Sequence, residues 1–164
     1  MSKQESNFSL KITLPPEAER YACALFLELE EYLKKRHPDL FGGGMLDAEE
    51  LGNPDIALST SDHEFLTELG EKTAFDTRSF PSIELHPSPS GLLIMSGDAG
   101  GNVEVVAQIL PRVLRRYKES QEISFVWTTD TTGGAIRIDQ KGWECLDLDE
   151  CLLKNEIPRF SLTS

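Results

Sequence analysis

Six consecutive residues, Gly97-Asp98-Ala99-Gly100-Gly101-Asn102, form the clearest grouping with the potential for ligand chemistry. They follow an apolar run, Leu92 to Ser96, and precede a helix-periodic run that starts at Val103. Backbone N–H groups at a helix start attract anions, and glycine lets a ligand approach the chain closely. Gly97, Asp98, Gly100, Gly101 and Asn102 are therefore the candidate ligand-binding residues, with phosphate as the ligand class. The loop lacks the Gly-Lys-Ser/Thr ending of a P-loop and the full dinucleotide-binding spacing. Asp98 would repel a phosphate unless a cation intervened. A tight turn closed by an Asn102 cap is the commoner use of such residues.

Carboxylates supply the second grouping. Asp130, Glu144, Asp147, Asp149 and Glu150 gather around and after a hairpin and are the candidate partner-binding residues. Acids also gather at helix starts for the sake of the macrodipole, which is the bland account of the last four. Asp98, Asp130 and Asp139 do not have EF-hand spacing, and turn aspartates are commonly just solvated. The hydroxyls of Thr128 to Thr132 serve turn chemistry more often than recognition. His37, His63 and His86 are scattered, and Cys23, Cys145 and Cys151 show no zinc-site spacing. No Gly-x-Ser-x-Gly is present, and no histidine stands at a diagnostic distance from Ser96. No catalytic residue, metal or cofactor is expected, and a non-enzymatic role is favoured over catalysis.

The elements that must position these groups follow from periodicity. Phe8 to Leu14 alternates as a strand, and Pro15-Pro16 stops it. Ala18, Ala22, Leu25, Leu29, Tyr32 and Leu33 recur at helical spacing, with acids in the first turn and Lys34-Lys35-Arg36 in the last. Asp47 to Leu51 suggests a short helical turn. Ser61-Asp62-His63-Glu64 matches a capping box and predicts a helix to about Glu71. Ser82–His86 and Leu92–Ser96 predict two strands around a Pro/Ser turn. The helix from Val103 to Tyr117 contains Pro111, which predicts a kink or a boundary there. Glu122–Asp130 and Gly134–Asp139 predict a hairpin whose even-length turn, Thr132-Gly133 or Thr131 to Gly134, places Trp127 opposite Ile138 on one core-facing side. Asp147 suggests the cap of a last short helix.

The expected fold is α+β. It has a mostly antiparallel sheet of four to five strands, with two long helices on one face. The element order matches a ferredoxin-like split βαβ with an added C-terminal hairpin strand. Strands one and three would be central and parallel. Residues 1–164 suit a single domain, with 1–7 and 157–164 flexible.

The stretch from Leu93 to Leu148 carries a further pattern. An apolar strand and Gly/Asp turn (LIMSGDAGGNVE) precede a helix. A Trp-bearing strand (EISFVW) follows, then Gly133-Gly134-Ala135-Ile136-Arg137-Ile138-Asp139, then Trp143. This order resembles a group of small uncharacterised proteins of bacteria and their mobile elements. That group often carries a longer insert before the glycines and a third glycine, and this chain has neither. The resemblance implies a bacterial or phage-associated accessory protein and brings no activity, cofactor or catalytic residue.

The chain has 28 acidic against 16 basic residues, a formal net charge of −12. Phosphate-backbone binding needs a basic footprint, so free nucleic acid is not an expected partner. No apolar run is long enough to span a bilayer, and the first residues lack a secretory pattern. The expected protein is cytoplasmic and does not bind membranes. Its leading role is a protein-binding module, accessory or inhibitor, for a basic partner. The alternative is a phosphate-ligand binder or phosphate-handling enzyme using the Gly97–Asn102 loop.

Overall fold

The computed structural model describes residues 7–41, 46–47, 54–75, 82–97, 103–128 and 133–147. The first strand, β1 (Asn7–Ile12), buries Phe8, Leu10 and Ile12 and exposes the residues between them. Pro16 opens α1 (Pro16–Arg36), where its missing N–H costs nothing. Glu17 and Glu19 sit at the positive end of α1, and Lys34, Lys35 and Arg36 at the negative end. Next come a single turn, α2 (Pro38–Phe41), a two-residue strand, β2 (Leu46–Asp47), and α3 (Thr60–Phe75). The rest of the fold is β3 (Ile83–Ser88), β4 (Gly91–Ser96), α4 (Val103–Arg116), β5 (Ile123–Thr128), β6 (Gly133–Asp139) and β7 (Gly142–Asp147).

The strands make one sheet in the order β2-β3-β4-β1-β5-β6-β7. Every neighbouring pair is antiparallel except β2–β3. The four strands β3-β4-β1-β5 have the ferredoxin-like arrangement. The α1 crossover joins β1 to β3 with β4 between them, and the α4 crossover joins β4 to β5 with β1 between them. The two central strands, β1 and β4, are antiparallel rather than parallel. The cause is the hairpin. Crossover α1 sets β3 parallel to β1, and the tight Pro89-Ser90 turn then forces β4 to run back.

Among the described residues the sheet has seven strands, more than the four to five expected. Asp47, expected to open a helical turn running to Leu51, instead ends β2, which is too short to show any alternation, and residues 48–51 of that expected turn lie outside the described residues. The other unforeseen strand, β7, begins after a two-residue turn, with Asp139 facing Gly142 across it. Asp139 Oδ1 accepts from Lys141 N at 2.8 Å and from Gly142 N at 3.3 Å, as turn aspartates do. Gly142 has φ +151°, a region that favours glycine. Asp147, expected to cap a helix, is the last residue of β7. Pro111 lies inside one continuous helix, α4, so the expected boundary is absent.

The hairpin of β5 and β6 has its own register. Ile123 pairs with Ile138, Phe125 with Ile136, and Trp127 with Gly134. Trp127 and Ile138 share the core-facing side but are not opposite each other, because four residues (129–132) separate the strands. Ile138 is fully buried, while Trp127 is half-buried and packs against the core.

One hydrophobic cluster joins Leu25, Phe26, Leu29 and Leu33 of α1 and Val106, Ile109, Leu110 and Val113 of α4 to the inward residues of β1 and β3–β6. Leu66 and Leu69 of α3 belong to it as well. The alternate strand residues Ser9 and Lys11 are exposed, as is Val126, at 44%. Among the described residues no helix is long and apolar enough to cross a membrane.

Candidate functional site

The densest polar cluster begins at the first turn of α3. Ser59 is the cap: its Oγ accepts from Asp62 N at 3.1 Å, and Asp62 Oδ2 accepts from Ser59 N at 2.9 Å. This is a capping box with aspartate in the reciprocal place, two residues before the expected Ser61–Glu64 box. The shift matters because it turns Asp62 inward. Asp62 is 1% exposed. Its Oδ1 accepts from Tyr21 Oη at 2.5 Å and from Arg112 Nε at 3.0 Å, and Arg116 Nη1 lies 3.8 Å from Oδ2. Arg112 Nη2 also donates to Ser61 Oγ at 2.8 Å. The guanidiniums stack as well: Arg112 lies 4.8 Å over Phe65, and Arg116 lies 4.5 Å over Tyr21. One carboxylate thus ties α1, α3 and α4 together.

By composition this cluster resembles an acid–base site. Its electrostatics place it elsewhere. Burial opposes the charge on Asp62, but hydrogen bonds from Tyr21, Ser59 and Arg112 outweigh it and hold the carboxyl below the usual range. Burial and the neighbouring Asp62 push the Tyr21 phenol up. A general acid or base works best near the operating pH and must reach its substrate. Asp62 and Tyr21 do neither.

A second polar cluster closes the far end of the α1–α3 contact. Tyr32 Oη donates to Glu71, His37 Nε2 lies 3.0 Å from Glu71 Oε2, and Arg36 Nε lies 4.0 Å from it. The hydrogen bonds from Tyr32 and then His37 hold Glu71 below the usual carboxylate range. Gly70 is required beside it, because a Cβ there would stand 2.5 Å from the Tyr32 ring.

Of the candidate ligand residues, Gly97 lies inside the described structure, and Asp98, Gly100, Gly101 and Asn102 lie outside it. Gly97 N donates to Ser82 O at 3.0 Å, so that N–H is already used. A Cβ at Gly97 would meet Ser82 Oγ at 2.3 Å, so close packing on Ser82 accounts for this glycine. Of the candidate partner residues, Asp130, Asp149 and Glu150 also lie outside the described residues. Glu144 is on β7, 56% exposed, and bonded to Arg137, whose Nε is also 3.9 Å from Glu122. Burial pushes the Cys23 thiol up to about 12, and Cys145 is exposed. Among the described residues no group of three or more His, Cys, Asp or Glu side chains is placed to hold a metal.

Sequence reasoning missed a cleft between α1, the segment 54–58 and the start of α3. It encloses about 290 Å³ and is lined by Ala24, Leu27, Glu28, Glu31, Pro54, Asp55, Ile56, Leu58 and His63. Its signal was present but faint. Leu27, Glu28 and Glu31 sit just beside the buried stripe of α1, at i, i+1 and i+4, and Asp55 follows the Asn53-Pro54 dipeptide in the sequence. Asp55 has φ +53°, which aspartate tolerates better than most residues.

No family model, curated protein or solved structure matches the chain.

Proposed function

We propose that the protein is a non-enzymatic, cytoplasmic binding module, an accessory or inhibitor protein whose partner is basic. The observation that carries this reading is the β7 edge. Among the described residues β7 is the last strand of the sheet, with β6 as its neighbour, and it presents Glu144, 56% exposed although paired with Arg137, on a chain of net charge −12. A sheet edge offers backbone donors and acceptors to an extended segment, and charge selects which segment. A basic strand laid along β7 gains both kinds of contact. The buried carboxylate that most resembles a catalytic group, Asp62, is committed to Tyr21, Ser59 and Arg112, which supports binding over catalysis.

Affinity capture from cell extract at low ionic strength tests the reading, with a Glu144→Lys/Asp147→Lys variant alongside. The expected result is a basic protein retained by the wild type, released as salt rises, and lost with the reversals, because exposed charges are screened. Retention that ignores both salt and the reversals would overturn the electrostatic reading.

A further inference from the structure

We propose that the cleft between α1 and α3 is a docking groove for a basic amphipathic helix of a partner protein. This inference does not rest on the β7 edge. Three half-buried apolar side chains, Leu27, Ile56 and Leu58, line the cleft, and three carboxylates, Glu28, Glu31 and Asp55, belong to the same lining. His63 stands beside Glu28, with Nδ1 3.9 Å from Oε2. A lysine or arginine on a docked helix lays its methylenes on Leu27, Ile56 and Leu58 while its charged head reaches the carboxylates. An apolar residue one turn along the helix takes the remaining floor, the usual anchor spacing for a helix in a groove. The volume of about 290 Å³ is at the lower limit for small-molecule sites and suits one or two side chains. A second copy of this chain is the wrong occupant, since it brings a further −12 to an already acidic rim.

The probe is a labelled Leu/Lys amphipathic peptide about 15 residues long, sufficient to form a helix on binding. Its affinity for the whole chain is read by fluorescence anisotropy at low salt. The wild type should bind it and should not bind the same peptide with glutamate in place of lysine. Glu28→Gln/Glu31→Gln should weaken binding about tenfold, the loss of two partly exposed charge pairs. Glu64→Gln/Glu68→Gln removes equal charge from exposed positions outside the cleft and should change affinity by less than about twofold. Glu144→Lys/Asp147→Lys should leave the peptide in place, which separates this inference from the edge reading. Amide shifts on titration should centre on residues 24–31 and 54–58. Failure of the wild type to bind, equal weakening by both glutamine pairs, or shifts centred on β7 would each overturn the proposal.

Discussion

Asp62 is the residue on which the helical layer turns, and removing its charge tests that role. Asp62→Ala takes the acceptor from Tyr21 Oη and Arg112 Nε, leaving Arg112 only its bond to Ser61, and deletes the carboxylate half of the capping box. The expected loss is about 3–5 kcal/mol, the range for breaking a buried pair from one side. The pH dependence follows from the direction of the shift. The folded Asp62 has a lowered pKa, so its stabilisation is present above the unfolded carboxyl value and disappears as pH falls through the folded value. Urea midpoints measured from neutral pH down to about pH 2 should fall more steeply for the wild type than for Asp62→Asn. Parallel curves would remove Asp62 from the acid-sensitive set. The cluster was half legible in the sequence. The pattern puts the capping signal at Ser61–Glu64, two residues late, because Ser59-x-x-Asp62 is the weaker match by pattern and tertiary contact with Tyr21 and Arg112 selects it.

Gly70 is a sharper residue-scale case. Gly→Ala in a helix ordinarily stabilises by about 0.5–1 kcal/mol. Here the new Cβ meets the ring of Tyr32, whose hydroxyl is held by Glu71. Overpacking of this kind costs about 1–3 kcal/mol, so Gly70→Ala should lower the melting temperature. In a Tyr32→Ala background the same substitution should raise it. Identical effects in the two backgrounds would show that the ring moves aside freely.

Among the elements, α1 was the most legible, from Pro16 to Arg36, and the β5–β6 hairpin, legible as strands but not in its pairing, shows what patterns leave open. Alternation from Ile123 to Trp127 and from Gly134 to Ile138 specified which side faces the core. The pairing itself depends on how many residues make the turn, which alternation constrains only to an even number. Phe125 is 5% exposed and touches Phe8 at a 6.0 Å ring separation, so Phe125→Ala should cost about 3–5 kcal/mol. Trp127 is different. Its Nε1 is buried with no hydrogen-bond partner among the described residues. Trp127→Phe removes that unsatisfied donor along with some apolar area, and should change stability by less than about 1 kcal/mol. A loss as large as that of Phe125→Ala would mean that the indole N–H is bonded in solution. The β7 strand escaped notice because Trp143-Glu144-Cys145-Leu146 has one strong apolar residue per face, and its turn depends on Asp139 and Gly142 rather than on an Asn-Gly pair.

For the whole molecule, charge is the property the sequence states most directly. With 28 acidic and 16 basic residues, the chain should show no measurable affinity for free nucleic acid at physiological salt. Gel shift with random-sequence DNA checks this, and binding that weakens steeply with salt would overturn it. The two-layer fold was legible because split βαβ units leave a clear order of strand and helix runs. The cleft was not. It joins α1 to a segment 23 or more residues downstream, from Glu31 to Pro54, and no one-dimensional period links Glu28 to Asp55.

The place of β1 in the sheet has a consequence for how the chain is made. Its neighbours are Leu92–Met95 on one side and Trp127–Thr128 on the other. The strand leaves the ribosome before either neighbour, and its second neighbour is synthesised some 120 residues after it. At about 5–20 residues per second, that is a wait of roughly 6–24 s. During that time an alternating apolar strand, FSLKITL, has no completed sheet to enter. The exposed interval sets a window in which a chaperone, or aggregation, competes for the first strand. A chain truncated at Ser120 should remain in that window indefinitely, lacking the cooperative unfolding transition of the intact protein.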